Sequence, residues 1–452
     1  MLPLAGIATA VPAAGADGPV VTVLEALPVS GAQAHAQQSP LVARDGAVYV
    51  ANIEPGPRGD VDGLDLLTVV RRGTPGPGDA DGWTWTATTI DGRTAHDPWH
   101  SAPAIGMDER GRVHVAWNMH NLPWQYGVST RPHDIAEFEF RGQAIDDAAL
   151  RRYKFENRTN FPAPGSAAIP GNQITYPAFF NDREGRLWVT YRFAARPARA
   201  FERRAMSSGV ARHDARTGAW RAIGGELELA PGDFDGPAED AERLRALASE
   251  DGWTSYAPRL SFGPGGRVNA NFLWREGIAG PELTRPCLLV SDDGAAFRTV
   301  DGAPVALPAT SEGCGAMDDG RTEYYSITDA ESDAAGEPHV VLSPVEGGRL
   351  LFSHEGDAWS AEPTPWAASE IFFDADDNLW AAATGPHLFV RPAGEPDWID
   401  AWRPAEADAT GCRPRAALDE ARRVAYVYTM DCELDLVSVR RVDLDALLAG
   451  AR

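Results

Sequence analysis

Lysine is almost missing from this chain of 452 residues: of its 41 basic side chains, only Lys154 is not arginine. Against them stand 65 acidic residues, for a formal net charge of −24. A chain this acidic repels polyphosphates and anionic lipid, which argues against nucleic acid and membranes as partners. An anionic ligand would have to be gripped by local arginines. Cysteine is scarce as well. Cys287, Cys314, Cys412 and Cys432 contain no CxxC pair, which argues against a zinc ribbon. Two disulfides and four buried thiols both remain open. No apolar run is long enough to span a bilayer as a helix. The opening "MLPLAGIATAVPAAGADGP" lacks the Lys or Arg that normally precedes a signal peptide's apolar stretch. Its Ala14-Gly15-Ala16 still resembles a signal-peptidase site. Residues 1–16 are therefore read as a signal peptide or its remnant, and the protein as secreted or periplasmic. Residues 17–452 are read as one domain, acting as a monomer.

Glycine (45) and proline (35) are plentiful, so turns are frequent. They punctuate a repeat. Its unit is an apolar strand, a turn of the type Asp-x-x-Gly-Arg, and a second apolar strand ending in an aromatic. The clearest copies are "SAPAIGMDERGRVHVAW" (Ser101–Trp117), "TYPAFFNDREGRLWVTY" (Thr175–Tyr191), "YAPRLSFGPGGRVNANF" (Tyr256–Phe272) and "CRPRAALDEARRVAYVY" (Cys412–Tyr428). Pro103, Pro177, Pro258 and Pro414 each precede an arginine by nine residues: Arg112, Arg186, Arg267 and Arg423. Degenerate copies at Ser39–Asn52, Ser326–Ser343 and Ser369–Ala383 bring the number to seven. Seven hairpins of alternating pattern predict an all-β, seven-bladed propeller of four-stranded antiparallel blades. The last blade lacks an outer strand, and "PVVTVLEAL" (Pro19–Leu27) can supply it and close the ring. "PAEDAERLRALAS" (Pro237–Ser249) has helical spacing.

The hairpin geometry singles out four side chains. With Arg110 as the centre of the second turn, His100 lies ten residues before it and His120 ten after. The matching centre in the third repeat is Glu184, with Tyr176 eight before and Arg192 eight after. Each pair should face across its hairpin, and all four should share one end of the channel. Arg275 in blade 4, Tyr325 in blade 5 and Arg413 in blade 7 fall at related positions. His114 and His339 sit two residues past their turns and read as structural.

The stretches "AIGMDERGRVHVAWNMHNLPWQY", "ITYPAFF" and "VTYRF" resemble the seven-bladed propeller ulvan lyases of the BNR-repeat family. The resemblance implies a catalytic site of His100, His120, Tyr176 and Arg192, and β-elimination at a uronic acid next to a rhamnose. Arg192 would neutralise the carboxylate, His120 remove the C5 proton, and Tyr176 protonate the leaving oxygen, while His100 orients the substrate. Tyr176 as both base and acid is the competing assignment. A nearby arginine would lower the tyrosine's pKa. Asn121, Trp124 and Tyr126 would line a sugar subsite, and Arg275, Tyr325 and Arg413 would hold further acidic groups. The partner would be an acidic polysaccharide. Catalysis would require no cofactor, and no metal ligands are assigned among the site residues; a structural divalent ion stays open. Two alternatives are an exo-lyase on rhamnosyl-glucuronate ends and an α-L-rhamnosidase on plant gum. A neuraminidase-like hydrolase is only faintly echoed by "SDDGAAF" (Ser291–Phe297). A non-catalytic carbohydrate- or protein-binding propeller would turn over no uronate.

Overall fold

The computed structural model describes residues 21–29, 38–56, 66–76, 82–94, 101–146, 148–150, 167–195, 206–229, 233, 238–256, 258–276, 284–317, 324–344, 348–356, 358–364, 367–385, 387–404, 411–431 and 436–451. Seven antiparallel sheets follow one another along the chain and close into a ring. The inner strands are Leu41–Arg44, Ala104–Met107, Ile174–Asn181, Arg259–Phe262, Tyr324–Ser332, Ala368–Phe373 and Gly411–Asp419, numbered here as blades 1 to 7. Closure works as the sequence suggests. Val21–Pro28 is the outermost strand of blade 7 and runs antiparallel to Leu436–Asp443, from Val21 opposite Val442 to Pro28 opposite Leu436. The first and last parts of the chain thus share one sheet, which removes the ring's free seam.

The repeat's turn explains its sequence. In blade 3 the Asp182 carboxylate accepts the backbone N–H groups of Glu184 and Arg186 through one oxygen. Its other oxygen accepts Arg186 Nε at 2.6 Å and Trp188 Nε1 at 2.9 Å. Gly185 takes the left-handed backbone (φ 78°) that the turn requires, as Gly111 does in blade 2 (φ 78°). Blade 6 repeats the pattern, with Asp374 accepting Trp380 Nε1 at 2.8 Å. Asp182 is buried. Asp182→Ala orphans several donors at once and should cost about 3 kcal/mol in urea denaturation.

Position 104 of blade 2 recurs as Ala178, Arg259, Asp329, Glu370 and Arg415 in blades 3 to 7. Four of these form one ionic chain across neighbouring blades. Arg259 pairs with Asp329, and its guanidinium lies 3.9 Å from Glu370. Arg415 Nη1 donates to Glu370 Oε2 at 2.7 Å. Glu331 adds a third carboxylate against only two arginines. Burial, then repulsion from Asp329, pushes Glu370 up to about 7. The same causes raise Glu331 well above the usual carboxylate range. A raised folded-state pKa means that the fold retains a proton the unfolded chain releases. That stabilisation is complete below about pH 4.5 and lost as pH rises through 7. The melting temperature should therefore be higher at pH 5.5 than at pH 8.5, by an amount on the order of 2 kcal/mol in stability. Glu331→Gln should flatten the difference.

One sequence expectation needs correction, and one open alternative is narrowed. Pro237–Ser249 is helical only over Ala238–Arg243. Leu244 and Leu247 are drawn into the cores of blades 3 and 4, and the backbone there pairs with Ser208 and Ala309 instead of with itself. Cys287 and Cys314 form a disulfide, with Cα atoms 5.8 Å apart. Cys432 and the side chain of Cys412 lie outside the described residues.

Candidate active site

After Ala116 the chain leaves blade 2. His120–Leu122 forms an extra strand inside blade 3, beside Ile174–Asn181. His120 therefore sits on a strand of blade 3 and not on the second strand of the blade 2 hairpin, where the hairpin count places it. Its Cα partner is Thr175, which is also the partner of Arg192 on the other side. His120 and Arg192 thus flank Thr175 on consecutive strands, with backbones roughly 10 Å apart. The count missed this because it assumed that the strand continued past Trp117. Here Asn118 turns left-handed (φ 58°). His100 lies outside the described residues.

Two bulges shape the site, each at a non-glycine residue in the left-handed region. Asn121 (φ 55°) sits between the Leu122–Ile174 and His120–Thr175 pairs. Tyr176 (φ 57°) sits with Pro177 between the Thr175–Arg192 and Ala178–Thr190 pairs. Such backbone costs an L-residue roughly 1–2 kcal/mol. It re-aims the side chain and tends to mark functional positions. The Asn121 side chain accepts the Thr175 hydroxyl at 2.8 Å, and its backbone N–H donates to the same oxygen at 3.0 Å. Asn121 is therefore a brace that fixes the His120 strand to blade 3.

The bulge carries the Tyr176 ring under Arg192, whose guanidinium carbon lies 4.7 Å from the ring centre. The same carbon is 5.1 Å from the centre of Tyr256. The two tyrosine rings stack, 6.0 Å apart and 20° from parallel. Arg275 extends the row. It lies 5.1 Å from the Tyr256 ring centre, and its Nη1 donates to the Tyr256 hydroxyl at 3.1 Å. Two cations and two phenols thus line one edge between blades 3 and 4. Arg192 is only 7% exposed. Among the described residues no carboxylate pairs with it, and its buried Nε has no hydrogen-bond partner. Aromatic rings stabilise a cation by about 1–2 kcal/mol, far less than a buried ion pair's attraction. A guanidinium left in this way can receive an anion.

Tyr256 was not singled out from the sequence. Its signal was present: it lies two residues before Pro258, at the position of Thr175 in blade 3. Trp124 and Tyr126 are corrected. Both are fully buried core residues and cannot touch a sugar; Tyr126 bonds His114 and Trp220 instead. Arg413 falls at the blade 7 bulge between the Cys412–Met430 and Arg415–Tyr428 pairs, the same register as Tyr176. Tyr325 lies on the inner strand of blade 5. The side chains of Arg413 and Tyr325 are outside the description. A separate cavity of about 450 Å³, lined in part by Arg212, Arg221, Arg243 and Arg245, is not lined by His120, Tyr176 or Arg192.

A sequence profile of BNR repeat-containing family members matches residues 60–371. Comparison with curated protein sequences gives no match. Among solved structures the chain is similar to the polysaccharide lyase Uly1, with a TM-score of 0.63 and 13% identity over 92% of each chain. It is also similar to a PL25 ulvan lyase bound to -[GlcA(1-4)Rha3S]-, with a TM-score of 0.55 and 12% identity over 95% of this chain and 99% of that one. At these identities the likeness establishes the shared propeller fold.

Proposed function

The chain belongs to the BNR repeat-containing family, and from that premise we propose that it is a polysaccharide lyase. It would cleave a rhamnose–uronic acid linkage in an acidic polysaccharide by β-elimination. The observation that carries this reading is the buried Arg192 guanidinium, held by two tyrosine rings and lacking a carboxylate partner among the described residues. In a protein of net charge −24, such a group is a specific receptor for an anion.

The residue types fit the chemistry. A uronate's C5 proton is hard to remove while its carboxylate is charged. Arg192 bound to that carboxylate stabilises the enolate-like transition state. His120, as neutral imidazole, takes the C5 proton. The C5–H electrons form the C4–C5 double bond as the C4–O bond breaks. Tyr176 gives its proton to the departing glycosidic oxygen. The products are a 4,5-unsaturated uronate and a rhamnose with a free hydroxyl. Arg192 beside Tyr176 favours the phenolate left behind. Arg275 and Arg413 would hold sulfate or neighbouring uronates. Such polymers are extracellular, so the proposal includes export, which the Cys287–Cys314 disulfide suits.

The test is a panel of uronate polysaccharides, followed by the ultraviolet absorbance of the conjugated product. A rise on rhamnose–uronate polymers supports the reading. Binding without any absorbance change points to a carbohydrate-binding propeller.

A further inference from the structure

Blade 2 departs from its own repeat. Six residues after the turn aspartate, blades 3 and 6 place Trp188 and Trp380, whose indole N–H groups donate to that aspartate at 2.9 and 2.8 Å. Blade 2 places His114 there, and blade 3 sends His213 toward the same carboxylate. Asp108 Oδ1 is occupied by the backbone N–H groups of Arg110 and Arg112, both at 2.9 Å. Its Oδ2 faces His114 Nε2 at 3.4 Å and His213 Nδ1 at 3.7 Å. All three ligand atoms lie within 4.8 Å of one another, and all three residues are buried. We propose that Asp108, His114 and His213 form a structural transition-metal site of the Zn²⁺ class that ties blade 2 to blade 3.

The separations are the first support. They are long for hydrogen bonds. Bonds of about 2.0–2.1 Å in a tetrahedron hold ligand atoms roughly 3.4 Å apart, close to what is seen. A second support is His213 Nδ1 itself, a buried ring nitrogen with no hydrogen-bond partner. Third, His114 Nδ1 lies 2.6 Å from the Tyr126 hydroxyl, which also accepts Trp220 Nε1 at 3.1 Å. With Nδ1–H donating to Tyr126, the lone pair of Nε2 points at Asp108, the outer-sphere arrangement of metal-bound histidines. Two nitrogens and one oxygen suit zinc and exclude calcium or magnesium, which want six or more oxygens. A water would complete the fourth position of such a site. Trp220 and Phe179 wall the site.

The molecule holds its own control. His339 and Asp333 in blade 5 occupy the same register, 3.6 Å apart, but His339 Nδ1 is bonded to Ser353, and the pair belongs to no metal-competent cluster among the described residues.

The experiment is metal analysis of the purified chain after loading with Zn²⁺ and removal of free ion. One zinc per chain is expected, with a melting temperature that falls in chelator and recovers on adding zinc back. X-ray absorption should show only nitrogen and oxygen neighbours at about 2.0 Å. His213→Ala should lose the metal and the chelator response, while His339→Ala keeps both. A chain that takes up no zinc, or whose zinc has sulfur neighbours at about 2.3 Å, overturns the proposal; so does full zinc retention by His213→Ala. If His213→Ala does not fold, the uptake and absorption results on the unaltered chain still decide.

Discussion

Arg192→Ala should lower kcat/KM on a cleaved uronate polymer by at least 10²–10³, roughly 3–4 kcal/mol of transition-state stabilisation. That range describes the loss of one neutral oxyanion donor, and here a full charge is removed. The fold should survive. Arg192 makes no ion pair among the described residues, and what it leaves behind is the stacked Tyr176–Tyr256 pair, which needs no cation to pack. Arg192→Lys should recover little, because an ammonium cannot make the planar two-point contact with a carboxylate. Circular dichroism and the melting temperature check the fold, and initial rates of absorbance check the chemistry. Arg267→Ala is the control. Arg267 pairs with Glu337 near the blade 4 turn, so its loss should change stability and leave turnover intact.

Tyr176→Phe should cost a similar 10²–10⁴ in kcat, the usual contribution of a positioned acid or base, with KM little changed. The phenyl ring preserves the stacking and the contact with Arg192, so binding survives and only the proton is lost. His120→Ala separates the two assignments. If His120 is the base, its loss is as damaging as that of Tyr176, and the acidic limb of the kcat/KM profile disappears. If Tyr176 serves as both base and acid, Tyr176→Phe abolishes turnover while His120→Ala retains a measurable rate.

The propeller was legible because its signal is repeated. The Pro-to-Arg spacing of nine residues recurs in four copies, and the copies in blades 2 and 3 close their turns on the same aspartate contacts. Closure by Val21–Pro28 followed from a missing strand. The nearness of Tyr176 to Arg192 was legible for the same reason, although the count pairs the two directly, whereas Arg192 pairs with Thr175 and a bulge brings the Tyr176 ring under it. The count failed wherever the chain left the hairpin. Nothing in "NMHNLP" says that His120 will cross into blade 3; that depends on a left-handed Asn118 and on the Asn121–Thr175 brace, contacts made only after folding. From the sequence Trp124 reads equally as a sugar-binding aromatic and as core, and Tyr126 as sugar-binding; burial places both in the core. Tyr256 was hidden by a register offset of one residue from Tyr176. The His114–His213 approach joins residues 99 positions apart in different blades, which no local pattern can reveal.

The most direct test of the elimination is a mass balance on the products from a defined rhamnose–uronate oligosaccharide. Elimination gives two fragments whose masses sum to that of the substrate, one of them carrying the conjugated double bond. That is the predicted result. Fragments whose masses sum to the substrate plus one water, with no new absorbance, would show hydrolysis and contradict the account.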